Sequence, residues 1–146
     1  MGNNFKFESI LVPYNATEGA KQGLKSAIEL AKKLDAQITL ITCIENQSVL
    51  SFFRKSKDEK FEEEEEIIEK ELQKIESDVE GLNKPIKHVI LKSSFPPNSI
   101  IEYVEKNKID MVIIGQTKIK RAEKKYHQSM ANYLVQGLTC QLLIVK

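Results

Sequence analysis

The chain has 146 residues, of which 41% are hydrophobic and 29% are charged, a composition typical of a single globular domain over 1–146. No apolar run approaches the roughly 20 residues of a membrane span, and the first residues lack the apolar core of an export signal, so we expect a cytoplasmic protein without a membrane partner. The net charge of +1 excludes a general attraction to nucleic acid.

Five short apolar runs read as strands, with a longer segment between each pair. Pro13 closes the first run. The fourth run is continuous and β-branched, which is typical of a strand covered on both faces. The predicted strands are 10–12, 38–44, 86–91, 109–114 and 142–145.

The first two predicted helices differ in charge. After Thr17, which can cap the first helix, apolar residues recur at three- and four-residue spacing as one stripe. The second helix is predicted over 58–81, where Gly81 suits its end. Residues 57–80 hold twelve acidic residues and four lysines. Within them, the run Glu62–Glu66 indicates a solvated helix face rather than a metal site or a site for a basic partner. The inward residues are Ala20, Leu24, Ala27, Ile28, Ala31 and Leu34, then Phe61, Ile68, Leu72, Ile75 and Val79.

Two shorter helices complete the pattern. The third follows Pro96-Pro97-Asn98, and the fourth begins at a Ser129 cap and stops near Gly137. Their inward residues are predicted to be Ile100, Ile101 and Val104, then Met130, Tyr133 and Leu134.

Segment 46–57 reads as an irregular loop that carries Phe52 and Phe53. A lid over a crevice, a partner surface, and aromatic rings tucked under the long helix are all compatible with this segment.

The alternation of five strands with four helices implies an α/β fold: a single-domain, doubly wound, Rossmann-like parallel sheet with helices on both faces. The usual five-strand orders place strand 1 at the centre, next to strand 4 or its equivalent, and among them we predict 3-2-1-4-5. Ligands bind such sheets beyond the carboxyl ends of the strands, where neighbouring connections leave to opposite faces. That rule selects the loops 13–17 and 115–129 as the candidate site.

Isolated reactive side chains have ordinary structural interpretations. Cys43 and Cys140 lie in apolar runs and are predicted to be buried reduced thiols. His88 lies in a strand run, and neither it nor His127 has a Cys or acidic partner at ligand spacing. The sequence contains no Gly-Lys-[Ser/Thr] phosphate loop, dinucleotide fingerprint or nucleophilic serine motif, so we predict no catalytic residues and no metal.

The chain resembles the universal stress protein family over essentially its whole length. Four segments carry the resemblance: Ile10-Leu-Val-Pro-Tyr-Asn-Ala-Thr17, Asp110-Met-Val-Ile-Ile-Gly115, Ser129, and the closing Cys140-Gln-Leu-Leu-Ile-Val145. Nucleotide-binding members are similar but carry Gly-x2-Gly-x9-Gly-[Ser/Thr] after strand 4 and an Asp after strand 1. The resemblance implies nucleotide-site positions at Pro13, Tyr14, Asn15, Cys43, Ile114, Gly115, Lys118, Gln128, Ser129 and Met130.

This chain departs from the nucleotide-binding motif at three positions. Lys118 and Gln128 replace the second and third glycines, and Asn15 replaces the Asp, while Gly115 and Ser129 match. Side chains at the glycine positions obstruct the backbone N–H groups that would close on a triphosphate, and Asn lacks the charge that holds a divalent cation. The altered loop is similar to the branch of the family that does not bind ATP.

The same loop is rich in cations, which supports a different interpretation. Residues 118–125 carry a net charge of +4, and His127 lies close behind. Such side chains can hold an anion in place of the missing backbone amides. The possible anion contacts are Lys118, Lys120, Arg121, Lys124 and Lys125. A soluble loop without a ligand is the simpler interpretation, and the resemblance also implies that Ser129 is a candidate phosphoacceptor.

Two functions follow from the resemblance. The first is a non-enzymatic stress-response protein that acts through protein clients as a homodimer joined by the C-terminal strand, without a cofactor. The second is a switch that binds ATP or AMP, with or without Mg²⁺, and hydrolyses ATP slowly if at all. A different five-stranded α/β protein, such as an electron-transfer flavoprotein-like subunit or a nucleotidylyl transferase, is less favoured. The transferase usually needs a histidine pair after strand 1 or 4, whereas 13–17 has no histidine and His127 stands alone. Nucleic acid is also disfavoured, because Tyr126 is the one aromatic residue in the basic loop.

Overall fold

The computed structural model describes residues 6–15, 18–45, 66–67, 69–70, 73–75, 80–116 and 130–146. Five parallel strands form one sheet in the order β3-β2-β1-β4-β5, which confirms the predicted order. The strands are β1 (Ser9–Pro13), β2 (Gln37–Glu45), β3 (Lys87–Ser93), β4 (Met111–Gly115) and β5 (Gln141–Val145). The helices are α1 (Glu18–Leu34), α2 (Pro96–Lys106) and α3 (Met130–Gly137).

Several predictions fall outside the described residues and stay predictions. They concern the caps Thr17 and Ser129, the segment 46–57 with Phe52 and Phe53, the side chains of Phe61, Ile68, Leu72 and Val79, and the loop residues Lys118, Lys120, Arg121, Lys124, Lys125, His127 and Gln128.

Helices cover both faces of the sheet, as the alternation of elements predicts. Along β1, Ile10 and Val12 belong to one buried cluster with α1, whereas Leu11 belongs to a second cluster with α2 and α3. Successive side chains of a strand point to opposite faces, so β1 supplies the centre of both cores. The two clusters place α1 on one side of β1 and the other two helices on the opposite side.

The described part of the acidic segment is helical at 66–67, 69–70 and 73–75. Ile75 packs against the cluster that contains α1, so this segment covers the same face of the sheet. Glu66 and Glu69 are exposed, which agrees with a solvated acidic face. Gly81 adopts a φ of 100° in a turn at 80–81, so the helical segment ends before the predicted position.

Two predicted strands begin later than their apolar runs. Ile109 is buried but lies before β4, and its N–H donates to the Val104 carbonyl oxygen at 3.2 Å. Lys108, with a φ of 52°, turns the chain out of α2 at this point. Ile86 is half-buried and lies before β3. Apolar residues therefore extend beyond the hydrogen-bonded part of each strand, because a connecting segment that packs against the core buries its side chains as a strand does.

Two residues predicted to face inward are largely exposed. Leu34 is 41% exposed because it ends α1, and Asp35, with a φ of 54°, turns the chain away immediately after it. Tyr133 is 38% exposed. Its ring packs edge-to-face on Phe95, with the ring centroids 5.0 Å apart, so it covers the junction of α2 and α3.

Asp110 ties the start of β1 to the start of β4. One of its carboxylate oxygens, Oδ2, accepts the backbone N–H groups of Glu8 and Ser9, each at 2.9 Å. The Asp110 N–H in turn donates to the Ser9 carbonyl oxygen at 3.0 Å. Asp110 thus has a structural function at the amino edge of the sheet, opposite the edge where ligands bind such folds.

The N-terminus of α2 is formed by Pro96 and Pro97. Phe95, the residue before the helix, makes no side-chain hydrogen bond that caps it. The Phe95 N–H instead donates to the buried Ser93 hydroxyl at 3.2 Å, and that hydroxyl lies 2.6 Å from the Ser99 hydroxyl. These contacts fix the turn between β3 and α2.

The two thiols are free but less buried than predicted. Cys43 and Cys140 are both half-buried. Burial raises the pKa of each above the ordinary 9.0. No helix within the described ranges is long and apolar enough to cross a membrane.

Candidate functional site

The candidate site lies at the carboxyl edge of the sheet, between β1 and β4. These strands are neighbours, with Leu11 opposite Val112, and each ends a few residues later at the same edge. The connection from β1 leads to α1 on one face, and the connection from β4 leads to α3 on the other. This is the topological switch point at which open α/β sheets bind ligands.

The structure brings the described members of the predicted site to this edge. Pro13 and Gly115 end their strands, and Cys43 lies near the end of β2, opposite Leu91 of β3. Asn15 is exposed just beyond β1, where a ligand would reach its side chain. Tyr14 and Ile114 are buried in the two cores, and Met130 is half-buried at the first position of α3.

The loop after β1 is anchored to β2 through Tyr14, which is 2% exposed. The Tyr14 N–H donates to the Ile41 carbonyl oxygen at 2.9 Å, and the Thr42 hydroxyl donates to the Tyr14 carbonyl oxygen at 2.8 Å. His88 Nε2 lies 3.3 Å from the same Thr42 hydroxyl. Thr42 and His88 therefore lie directly behind the candidate site.

Thr42 was not predicted to be a residue of the site. The signal was a hydroxyl residue inside the apolar run 38–44, where a buried polar group requires a partner. His88 was predicted to be structural, and the Thr42 contact gives the ring a specific partner. Burial disfavours the imidazolium and lowers the pKa of His88, while the Glu69 carboxylate acts in the opposite direction.

Gly115 is required by packing, whatever else it does. A Cβ at this position would overlap the Gly19 carbonyl oxygen, and a Cβ on Gly23 would lie 2.8 Å from the Gly115 nitrogen. The backbone of α1 therefore rests directly on the end of β4. Gly19 and Gly23 were not predicted to have a role, although their four-residue spacing places both on one helix face.

Cys43 contributes an apolar wall rather than a reactive group. It packs against the cluster that contains α2 and α3. Because burial raises its pKa, the side chain is a neutral thiol at physiological pH. A small neutral side chain at this position is compatible with the face of a purine base.

The described residues do not provide a metal site. No three His, Cys, Asp or Glu side chains within the described ranges gather closely enough to hold a metal ion. Asn15 offers a neutral amide where a cation bound to a triphosphate would favour a carboxylate.

Comparisons with known proteins agree with this architecture. Residues 6–146 match the model of the universal stress protein family. A universal stress protein of Methanocaldococcus jannaschii is 26% identical over 144 residues, which cover 96% of this chain and 82% of that protein.

Two solved structures share the fold. The universal stress protein UspA from Lactobacillus plantarum superposes with a TM-score of 0.79 at 18% identity, over 97% of this chain and 99% of that one. A universal stress protein solved in complex with cAMP has a TM-score of 0.74 at 15% identity, over 97% and 98%. Because the family match spans nearly the whole chain and the fold agrees, this protein belongs to the universal stress protein family.

Proposed function

We propose that this protein is a non-enzymatic, dimeric stress-response protein in which ATP binding is lost or weak. The observation that carries the proposal is the presence of Lys118 and Gln128 at two of the three glycine positions of the nucleotide motif. Its cytoplasmic location and its protein clients are predictions from the sequence.

The remaining glycine position, which is the first of the motif, does not weaken this argument. Gly115 is retained, but its contact with Gly19 and Gly23 explains the retention without a ligand. Since a packing requirement alone would preserve this glycine, its presence is no evidence for a phosphate site. Asn15 adds a further obstacle for ATP, because it brings no charge to a magnesium ion.

The edge of the sheet supports a dimer. Within the described residues β5 pairs with β4 alone, and its Leu143 and Ile144 side chains are 36% and 38% exposed. An apolar edge strand with unpaired backbone groups favours addition of another strand, and a second copy of this chain would provide one.

Sedimentation tests the dimer. We expect the wild type to sediment as a dimer at micromolar concentration and Ile144→Lys to sediment as a monomer, because a lysine at this edge blocks strand pairing. Leu34→Lys is the matched control, since Leu34 is similarly exposed but lies at the end of α1. A monomeric wild type, or equal behaviour of the two variants, would count against the β5 interface.

A nucleotide titration tests the loss of ATP binding. Thermal unfolding is measured with ATP, ADP, AMP and cAMP, each with and without magnesium. A ligand present at about 100 times its Kd stabilises the folded state by about 2.7 kcal/mol, which a thermal shift detects readily. We expect no shift with millimolar ATP. Stabilisation by ATP with magnesium would overturn the proposal.

The alternative function is a nucleotide-binding switch, and one comparison favours it. The fold neighbour solved with cAMP holds a nucleotide with a single phosphate, and such a ligand needs less backbone cradle than a triphosphate. The cations of segment 118–125 would supply the charge for one phosphate. In the same titration, stabilisation by AMP or cAMP but not by ATP would support this function.

A further inference from the structure

The hydrogen bonds behind the candidate site constrain the tautomer of His88. The Tyr14 carbonyl oxygen can only accept, so the Thr42 hydroxyl commits its single hydrogen to that bond at 2.8 Å. His88 Nε2, 3.3 Å from the Thr42 oxygen, therefore has no hydrogen to accept from it. The contact is then a hydrogen bond only when the ring carries a proton on Nε2 and donates it to the Thr42 oxygen.

The two hydrogen bonds, from His88 to Thr42 and from Thr42 to Tyr14, form a relay that holds the backbone of the loop after β1. Thr42 is 6% exposed and Tyr14 is buried, so water does not readily replace either partner. The Tyr14 N–H donates to the carbonyl oxygen of Ile41, which lies in β2 beside Thr42. Both polar groups of the Tyr14 backbone are thus held by β2. The next residue along the chain is Asn15, which is exposed just beyond β1.

We propose that Thr42 and His88 are positioning residues of the crevice, which hold the loop after β1 so that Asn15 is presented at the carboxyl edge. The inference rests on the proposed function only in taking this loop as part of the site, because the positioning requires no bound nucleotide. Neither residue needs to touch a ligand. Each acts through the Tyr14 backbone.

The relay also links the loop to the face of the sheet covered by the acidic helical segment. His88 lies in β3, opposite Leu40 of β2, and Leu40 belongs to the cluster that contains α1. The Glu69 carboxylate of the acidic segment acts on the ring. A change in packing on that face would reach the crevice through the His88–Thr42 and Thr42–Tyr14 hydrogen bonds. The cluster that contains α2 and α3 does not contribute to these two bonds.

The first test is the tautomer of His88 in the wild-type full chain. Long-range proton–nitrogen NMR spectra distinguish protonated Nε2 from protonated Nδ1 in a neutral ring. We expect the proton on Nε2 at pH values above the pKa of His88. A ring protonated on Nδ1 alone would overturn the proposal, and this measurement does not depend on the folding of any variant.

The second test is amide hydrogen exchange at Tyr14 without nucleotide. Thr42→Val keeps the shape of the side chain but removes the hydroxyl, and should speed Tyr14 exchange about tenfold relative to amides of α2. Thr42→Ser keeps the hydroxyl and should leave the rate unchanged. His88→Gln retains an N–H donor and should resemble the wild type, whereas His88→Leu should resemble Thr42→Val.

The outcomes separate positioning from general stability. Equal rates in Thr42→Val and Thr42→Ser, or an acceleration shared by the α2 amides, would overturn the proposal. Because no nucleotide is present, a failed nucleotide prediction leaves this result unaffected, and a failed relay leaves the nucleotide titration unaffected.

Discussion

Replacing Gly23 with alanine sets two effects of known sign against each other. In the interior of a helix, alanine is favoured over glycine by about 1 kcal/mol, so an exposed Gly→Ala change would stabilise α1. At position 23, however, the new Cβ would lie 2.8 Å from the Gly115 nitrogen and 3.3 Å from the Ile114 carbonyl carbon. Overpacking against backbone costs about 1–3 kcal/mol, because these atoms cannot swing aside as a flexible side chain does. We therefore expect a net destabilisation of about 1 kcal/mol.

Urea unfolding followed by far-ultraviolet circular dichroism provides the assay. Gln22→Ala is the matched control, since Gln22 is exposed in the same helix, and its effect should lie within about 0.5 kcal/mol. Gly115→Ala should destabilise more than Gly23→Ala, because its Cβ would overlap the Gly19 carbonyl oxygen. A stabilised Gly23→Ala, or an unaffected Gly115→Ala, would refute the packing argument and return Gly115 to the ligand site.

Three further predictions concern single side chains. Asp110→Ala should lower the free energy of unfolding by about 2 kcal/mol because two backbone N–H groups lose their acceptor, while Asp110→Asn keeps an acceptor oxygen and should lose less; equal losses in urea unfolding would contradict this. Burial lowers the pKa of His88 below its ordinary 6.5, so the neutral ring stabilises the folded state above that pH and this stability is lost as the pH falls. The stability of His88→Gln relative to the wild type should therefore improve between about pH 7.5 and 5.5, and a constant difference would contradict the assignment. Burial raises the pKa of Cys43, so its alkylation by iodoacetamide should accelerate when urea unfolds the Cys140→Ser variant, and equal native and unfolded rates would contradict it.

Alternation limits the sheet to the usual five-strand orders without reference to boundaries, although it does not by itself select 3-2-1-4-5 among them. A strand, a helix and a parallel strand connect with one handedness, and a chain of such units has few possible arrangements. The continuous apolar run of β4 correctly indicated burial on both faces. The predicted start of β4 was wrong by two residues. Ile109 is buried in the turn before the strand, and apolar character alone does not distinguish a turn from a strand.

The limits of sequence-based prediction at the helices have a similar cause. The periodicity that correctly placed Leu24 and Ala31 in the core also included Leu34, which the end of α1 leaves exposed. Periodicity shows which side of a helix a residue lies on. It does not show at which residue along the helix the sheet ceases to cover that side. Tyr133 shows the same effect in α3, because its predicted inward position lies at the edge of the core beside Phe95.

The structure places the predicted loops after β1 and β4 at neighbouring strand ends, but the contacts inside this region were not predicted. The topological rule selected the loops after β1 and β4 without reference to any side chain. The contact between Gly115 and α1 and the bond from Thr42 to Tyr14 join residues distant in sequence. Such contacts follow only from the register of neighbouring elements.

The paired prolines at the start of α2 have a consequence for protein engineering. That helix follows β3 directly, so it starts at the same edge of the sheet as the crevice. A helix start ordinarily attracts anions through its free N–H groups, but Pro96 and Pro97 have none to offer. A designer who wished to graft sulfate or phosphate recognition onto this scaffold would find two fewer donors there than at an ordinary helix start, and would do better to replace the prolines first.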